Sequence, residues 1–183
     1  MECSVNDFKP RDPYDDLSKA YEMMYQYVIS NFNKAHEKSA PLVQQLIEEA
    51  KQKVKEIEEV SEEDRIKLSG WLTRDLDEAI YYLSAANYEV KDWLGFETSL
   101  IKSEVIESLQ KLTDRADAEL QRMKDKIHKP YDYHTGEVMG FGTLVCDECG
   151  EKLHFHKAGK IPPCPRCHKS NFHRKQLDNP VIF

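Results

Sequence analysis

The chain has 183 residues, 32% of them charged, and a formal net charge of −7 at neutral pH. That length accommodates one domain of ordinary size plus a small appendage. Residues 136–183 carry seven Lys/Arg against five Asp/Glu, whereas the first 135 carry nineteen against twenty-eight, a net of −9. So acidic a segment disfavours nonspecific attraction to phosphate backbones, because basic side chains supply most of that binding. No basic segment leading into an apolar run opens the sequence. The longest nearly apolar stretch, Ala79 to Ala86, falls far short of the ~20 residues that cross a bilayer. The expectation is a cytoplasmic protein without membrane contact, in which thiols stay reduced.

Residues 1–13, with the isolated Cys3, read as a flexible N-terminus. Residues 14–129 read as an acidic helical domain. Leu17, Tyr21, Met24, Val28, Phe32 and Ala35 recur every three or four positions and form one apolar stripe of a helix. Ser39 followed by Pro41 marks a break, since proline suits only the first turn of a helix. Val43, Leu46, Ile47, Ala50, Val54 and Ile57 make a second stripe, opposite Glu48, Lys51, Lys55 and Glu59. Ser61-Glu-Glu-Asp64 has the pattern of a capping sequence with an acidic first turn. A third helix carries Leu68, Leu72, Leu76, Ala79, Ile80 and Leu83, and Gly95 interrupts or ends whatever follows. From Ile101 a fourth stripe runs through Val105, Leu109, Leu112, Ala116, Leu120, Met123 and Ile127, stopping before Pro130.

Each stripe is too narrow for a membrane helix and too apolar for an isolated one, so the helices must pack on one another or on a partner chain. Short loops predict an antiparallel hairpin or small bundle. The near-heptad spacing of the fourth stripe also permits a coiled-coil homodimer. A carboxylate-bridged dimetal site is rejected, because only His36 and His128 are present and the sole near match to Glu-x-x-His is Asp125-Lys-Ile-His128. Tyr21, Tyr25, Tyr27, Tyr81, Tyr82, Trp71 and Trp93 are read as bulky core residues in preference to a pocket. The acidic runs Glu48-Glu49 and Glu56 to Asp64 are read as a solvated face in preference to a dock for a basic partner.

Residues 130–183 read as a zinc ribbon with a C-terminal tail. Pro130 and Tyr131-Asp-Tyr-His-Thr135 look like a linker, after which helical periodicity gives way to glycines and short β-prone runs. Thr143-Leu144-Val145 leads into Cys146, Lys152 to His156 alternates as a half-buried strand does, and Asn171 to Arg174 supplies a third strand. Cys146-Asp-Glu-Cys149 and Cys164-Pro-Arg-Cys167 form two C-x2-C pairs separated by fourteen residues. Two cysteines three positions apart on a tight turn bring both sulfurs to one side. A second such turn completes a tetrahedron around Zn²⁺. Val145, Leu153, Phe155, Ile161 and Phe172 bury too little surface to offset chain entropy, so metal binding and folding should be one event. Four thiolates close the coordination sphere, so one structural zinc is expected, with no catalytic residues. A rubredoxin-type iron and a [4Fe–4S] cluster use the same ligands and remain alternatives to zinc. A redox Cys-x-x-Cys is disfavoured because it expects a βαβ context. His154, His156, His168 and His173 are read as surface or strand residues. Gly150 suits a turn with positive φ, and His168 holds the matching place after the second pair.

The stretch Tyr133-His-Thr-Gly-Glu-Val-Met-Gly-Phe-Gly-Thr-Leu-Val-Cys146-Asp-Glu-Cys149, followed by Pro163-Cys164-Pro-Arg-Cys167, resembles the bacterial zinc-ribbon proteins called YbeL-like. Leu72-Thr-Arg-Asp-Leu76 adds a looser likeness in the helical part. The resemblance implies an acidic helical region followed by a ribbon, zinc on Cys146, Cys149, Cys164 and Cys167, and a bacterial cytoplasmic protein. It implies no activity, because the family is one of unknown function. His168 departs from the glycine usual there.

Two functions are carried forward. One is a non-enzymatic adaptor that binds a protein partner. The other is nucleic-acid binding in transcription or translation, through Lys157, Lys160, Arg166, Lys169, Arg174 and Lys175 with Phe155 and Phe172 as base-stacking aromatics. No nucleophile elbow, phosphate-cradling glycine loop, metalloprotease helix motif or dinucleotide fingerprint supports an enzyme.

Overall fold

The computed structural model describes residues 13–35, 40–56, 60–83, 89–101, 103, 106–107 and 132–175. Three long helices come first: α1 (Pro13–Lys34), α2 (Ala40–Lys53) and α3 (Glu62–Leu83). A 3-10 turn, Val54–Glu56, extends α2, and a five-residue helix, α4 (Val90–Leu94), precedes a second 3-10 turn at Thr98–Leu100. Each of the three long helices packs against the other two. Tyr21, Met24, Val28 and Phe32 of α1, Val43, Leu46, Ile47 and Ala50 of α2, and Leu68, Leu72, Leu76 and Ala79 of α3 are all buried. They belong to the first three stripes, of which Leu17 and Ala35 are only half-buried, and burying each large side chain contributes roughly 1.5–3 kcal/mol.

Local signals place the helix ends. Ser61 Oγ accepts the Asp64 amide at 3.1 Å and donates to the Asp64 carboxylate at 2.6 Å, so the acidic first turn is capped. Pro41 sits in the first turn of α2, where its missing N–H costs nothing. Gly95 ends α4 in the left-handed conformation, φ 75°. Ile57, and the fourth stripe from Val105 to Ile127 with the coiled-coil homodimer it suggested, lie outside the described residues, as do the side chain of Leu83, Cys3 and the C-terminal tail. At the start of that stripe Ile101 is buried and Ile106 packs against the helical core. Among the described residues, no helix is long and apolar enough to cross a membrane.

Six short strands follow: β1 (Asp132–His134), β2 (Val138–Met139), β3 (Gly142–Cys146), β4 (Lys152–Phe155), β5 (Gly159–Lys160) and β6 (Asn171–Arg174). Four of them form an antiparallel sheet in the order β1-β6-β3-β4, and β2 pairs with β5. The stretch read as a linker is corrected here. Residues 132–134 are a strand paired with β6, and Tyr133, opposite Phe172, is fully buried. Its charged and hydroxylated neighbours in sequence masked a side chain that tertiary pairing draws inward.

The ribbon is not a detached appendage. Val138, Phe141 and Ala158 belong to the same buried cluster as the helix stripes, and Tyr25 meets Phe141 edge-on at 5.6 Å. Thr143 Oγ1 donates to the Leu94 carbonyl at 2.7 Å, tying β3 to the end of α4. Between α3 and the ribbon lies a seam of buried charge. Tyr21 donates to Asp75 Oδ2 at 2.6 Å, and the Gly140 amide donates to the same oxygen at 2.8 Å. Arg174 Nε donates to Glu78 Oε2 at 2.7 Å, and its Nη1 donates to the Phe141 carbonyl at 2.9 Å. The Tyr133 hydroxyl meets Glu78 at 2.5 Å and Asp75 at 3.1 Å, while Arg74 pairs with Asp75 and Glu137. Gly142 has φ 139°, and a Cβ there would run into the Arg174 guanidinium. Glycine is what lets the arginine cross β3 to reach α3.

Candidate metal centre

The two C-x2-C turns are built alike. In the first, the Cys146 amide donates to the Glu151 carbonyl and the Gly150 amide returns to the Cys146 carbonyl, both at 2.9 Å. In the second, the Cys164 amide donates to the Lys169 carbonyl and the His168 amide returns to the Cys164 carbonyl, again at 2.9 Å. Such a turn needs a left-handed residue at its fifth position. Gly150 supplies it at φ 72° and His168 at φ 58°, the one non-glycine residue with positive φ among the described residues. The departure from glycine therefore keeps the geometry at the cost of mild backbone strain. The first turn is held to β6 by the Asp147 amide, which donates to the Asn171 carbonyl at 3.1 Å.

This arrangement brings together the four predicted cysteines. Cys146 Sγ lies 3.5 Å from Cys167 Sγ, Cys149 Sγ lies 3.5 Å from Cys164 Sγ, and all four lie within 4.8 Å of one another. A disulfide needs about 2.05 Å between sulfurs. A tetrahedral ion with metal–sulfur bonds of about 2.3 Å needs sulfur separations of about 3.8 Å, so the observed spacing fits one ion. A [4Fe–4S] cluster would interpose its own iron and sulfide atoms, for which these separations leave no space. Cys146 and Cys164 are buried, Cys149 and Cys167 half-buried. Tyr133, Met139, Leu144, Ile161 and Phe172 pack around them.

The electrostatics suit a cation. Burial raises the Cys164 thiol, but the amides of Cys167 and Arg166 and the neighbouring sulfurs outweigh it and bring it down to about 7. The Glu151 amide lowers Cys149, yet burial and the three other sulfurs push it up to about 12. One thiolate thus forms readily and opposes the next. A divalent ion relieves that opposition, and soft thiolates select ions of the zinc type. Among the described residues, no other group of three or more histidine, cysteine or acidic side chains is poised for a metal. The ribbon histidines do other work: His154 Nδ1 lies 2.9 Å from Thr143 Oγ1, His156 stacks edge-on against Phe96, and His173 pairs with Asp147.

A family model described as a zinc-ribbon containing domain matches residues 30–176, most of the chain including every cysteine of the site. The chain belongs to that family. It is 26% identical over 133 residues to the uncharacterized protein YbeL of Escherichia coli strain K12, across 73% of this chain and 82% of that one. The uncharacterized YbeL proteins of strains O6:H1 and O157:H7 match to the same extent. No solved structure matches. The family supplies the likeness of the site and no activity.

The predicted contact residues divide. Lys157, Arg166 and Lys169 are exposed, and Lys160 and Lys175 are half-buried. Arg174 is corrected: it is 1% exposed and paired with Glu78, so it cannot meet a ligand. Phe172 is fully buried and offers no face to a base, whereas Phe155 is half-buried against the ribbon cluster. What the sequence reading missed is the seam. Its signal was present, because Asp75 lies three positions from Leu72 and four from Ala79, and Glu78 lies three from Asp75 and next to Ala79, so both border the apolar stripe of α3.

Proposed function

We propose that this chain is a non-enzymatic zinc protein whose single Zn²⁺ closes the ribbon, and that it works in the cytoplasm as an interaction module for another protein. The observation that supports the reading is the saturated ligand set. Four sulfurs at tetrahedral spacing leave no position for water or substrate, which is the coordination of a structural site. The ribbon cluster around them is small, so the ion would supply the folding energy the apolar residues lack. Elemental analysis of freshly purified protein should find one zinc per chain, and X-ray absorption should find four sulfur neighbours. Less than half a zinc per chain, or an oxygen in the shell, would sink the reading. Cys164→Ser should lower zinc retention by more than tenfold.

One observation favours a second reading, in which the ribbon binds nucleic acid: Lys157, Arg166 and Lys169 are all exposed on it. Fluorescence anisotropy with a labelled single-stranded oligonucleotide tests it. Binding that weakens steeply with salt, and is lost in the triple Glu variant of those positions, would support it. No binding at low salt would end it.

A further inference from the structure

The seam between α3 and the ribbon holds charged groups that the metal centre does not use. Arg74, Asp75, Glu78 and Arg174 are 9%, 4%, 3% and 1% exposed. A buried ion pair adds little stability over an apolar pair of the same size, but removing one member leaves the other as an uncompensated buried charge. The arrangement is therefore conditional: it holds only while both sides stay in place. Burial raises the Glu78 carboxyl, and Arg174 with Tyr133 opposes that rise. Among the described residues, the hydrogen-bond partner Glu78 would keep without Arg174 is the Tyr133 hydroxyl.

The placement of Arg174 depends on the cysteine turns. It ends β6, and the approach to that strand is stitched to both turns. The Lys169 carbonyl accepts the Cys164 amide at 2.9 Å, and the Asn171 carbonyl accepts the Asp147 amide at 3.1 Å. Phe172 pairs with Cys146 in the β3–β6 ladder. Tyr133 lies on β1, whose described sheet partner is β6, so it depends on the same strand. The helices have a separate footing. Each long helix packs on the other two, and Val28, Phe32, Val43, Leu46, Ile47, Leu68 and Leu72 share one apolar cluster, which Val138, Phe141 and Ala158 of the ribbon join.

We propose that occupancy of the four-cysteine site controls whether the ribbon stays latched to α3. With the ion bound, β6 holds Arg174 against Glu78 and the acidic groups of α3 are masked. When the ion leaves, β6 loosens, Arg174 withdraws, and Asp75, Glu78, Tyr21 and Trp93 come into contact with water while the helices persist. The latch rests on the reading of the cysteines as a metal site. Its product is an acidic, aromatic surface presented only by the metal-free protein.

Trp93 is a built-in reporter, because the Arg174 guanidinium lies over its ring at 4.6 Å. The chain has two tryptophans, so Trp71→Phe leaves Trp93 alone. The full-length protein is titrated with a zinc chelator while metal content, Trp93 emission, acrylamide quenching and far-ultraviolet circular dichroism are followed together. Hydrogen exchange of residues 74–80 in the wild type gives the same information without a substitution. As zinc is lost, Trp93 emission should shift to the red, quenching should rise severalfold, and exchange in α3 should quicken about tenfold. Most of the helical signal should remain, and added zinc should reverse the change. Arg174→Met and Glu78→Gln should give the unlatched Trp93 signal with zinc still bound. Loss of zinc with Trp93 and α3 unmoved would overturn the latch alone, as would collapse of the helical signal with the metal. A chain that never holds zinc would overturn the metal reading and the latch with it.

Discussion

The helical core and the ribbon solve the same entropy problem by different means. The helices bury three leucines of α3 against the apolar faces of α1 and α2, and their stability is distributed over many similar contacts. The ribbon has a small apolar cluster and concentrates its order in four sulfurs and in the arginine that carries it onto α3. Damage to the first region should therefore be graded, and damage to the second abrupt.

The sharpest contrast comes from Gly142→Ala. The new methyl would occupy the path of Arg174, and the backbone would remain at φ 139°, so the buried pair with Glu78 should break. The expected loss is about 4 kcal/mol, read as a drop in the urea midpoint. A loss below about 1 kcal/mol would show that the guanidinium has room to move. Leu72→Ala in the helical core should cost less, about 3 kcal/mol from lost burial and a cavity. Zinc content should be unchanged in that variant, and a variant that lost its metal would blur the distinction between the regions.

Two smaller changes should stabilise the protein, one in each region. Burial alone pushes the Asp77 carboxyl up to about 6 from an ordinary value of 3.8. A carboxyl raised in the folded state disfavours folding once it ionises. Its presence should therefore lower stability as pH rises from about 4 to about 6, with the full penalty above that window. Asp77→Asn should remove this slope and raise the melting temperature at pH 7, and equal pH profiles for the two proteins would contradict it. In the ribbon, His168→Gly should relieve the left-handed strain at φ 58°. The expected gain is up to about 1 kcal/mol, visible as slower zinc loss to a chelator. No gain would mean that the histidine makes contacts that offset its strain.

Legibility in the sequence followed the range of the interactions. The stripes of α1, α2 and α3, the Ser61 cap and the Gly95 stop are set within a few residues of one another, so a linear reading recovers them. The cysteine site was equally legible, since each pair is a local turn and only the joining of two turns is long-range. The reading failed at Tyr133, which polar neighbours disguised as linker, and at Arg174, which looked like a surface cation beside Lys175. Both errors have one cause: the partners, Asp75 and Glu78, lie 58 and 96 positions away in the chain.

The amino-acid sequence alone determined which faces of the helices are apolar and which four sulfurs meet, because periodicity and turn spacing are properties of neighbouring residues. Tertiary structure decided where the ribbon's charges go. A basic side chain on a short strand looks the same in sequence whether it faces water or a carboxylate. Only the reach of Arg174 from β6 to Glu78 on α3, with glycine at 142 clearing the way, turned it into a buried counter-charge.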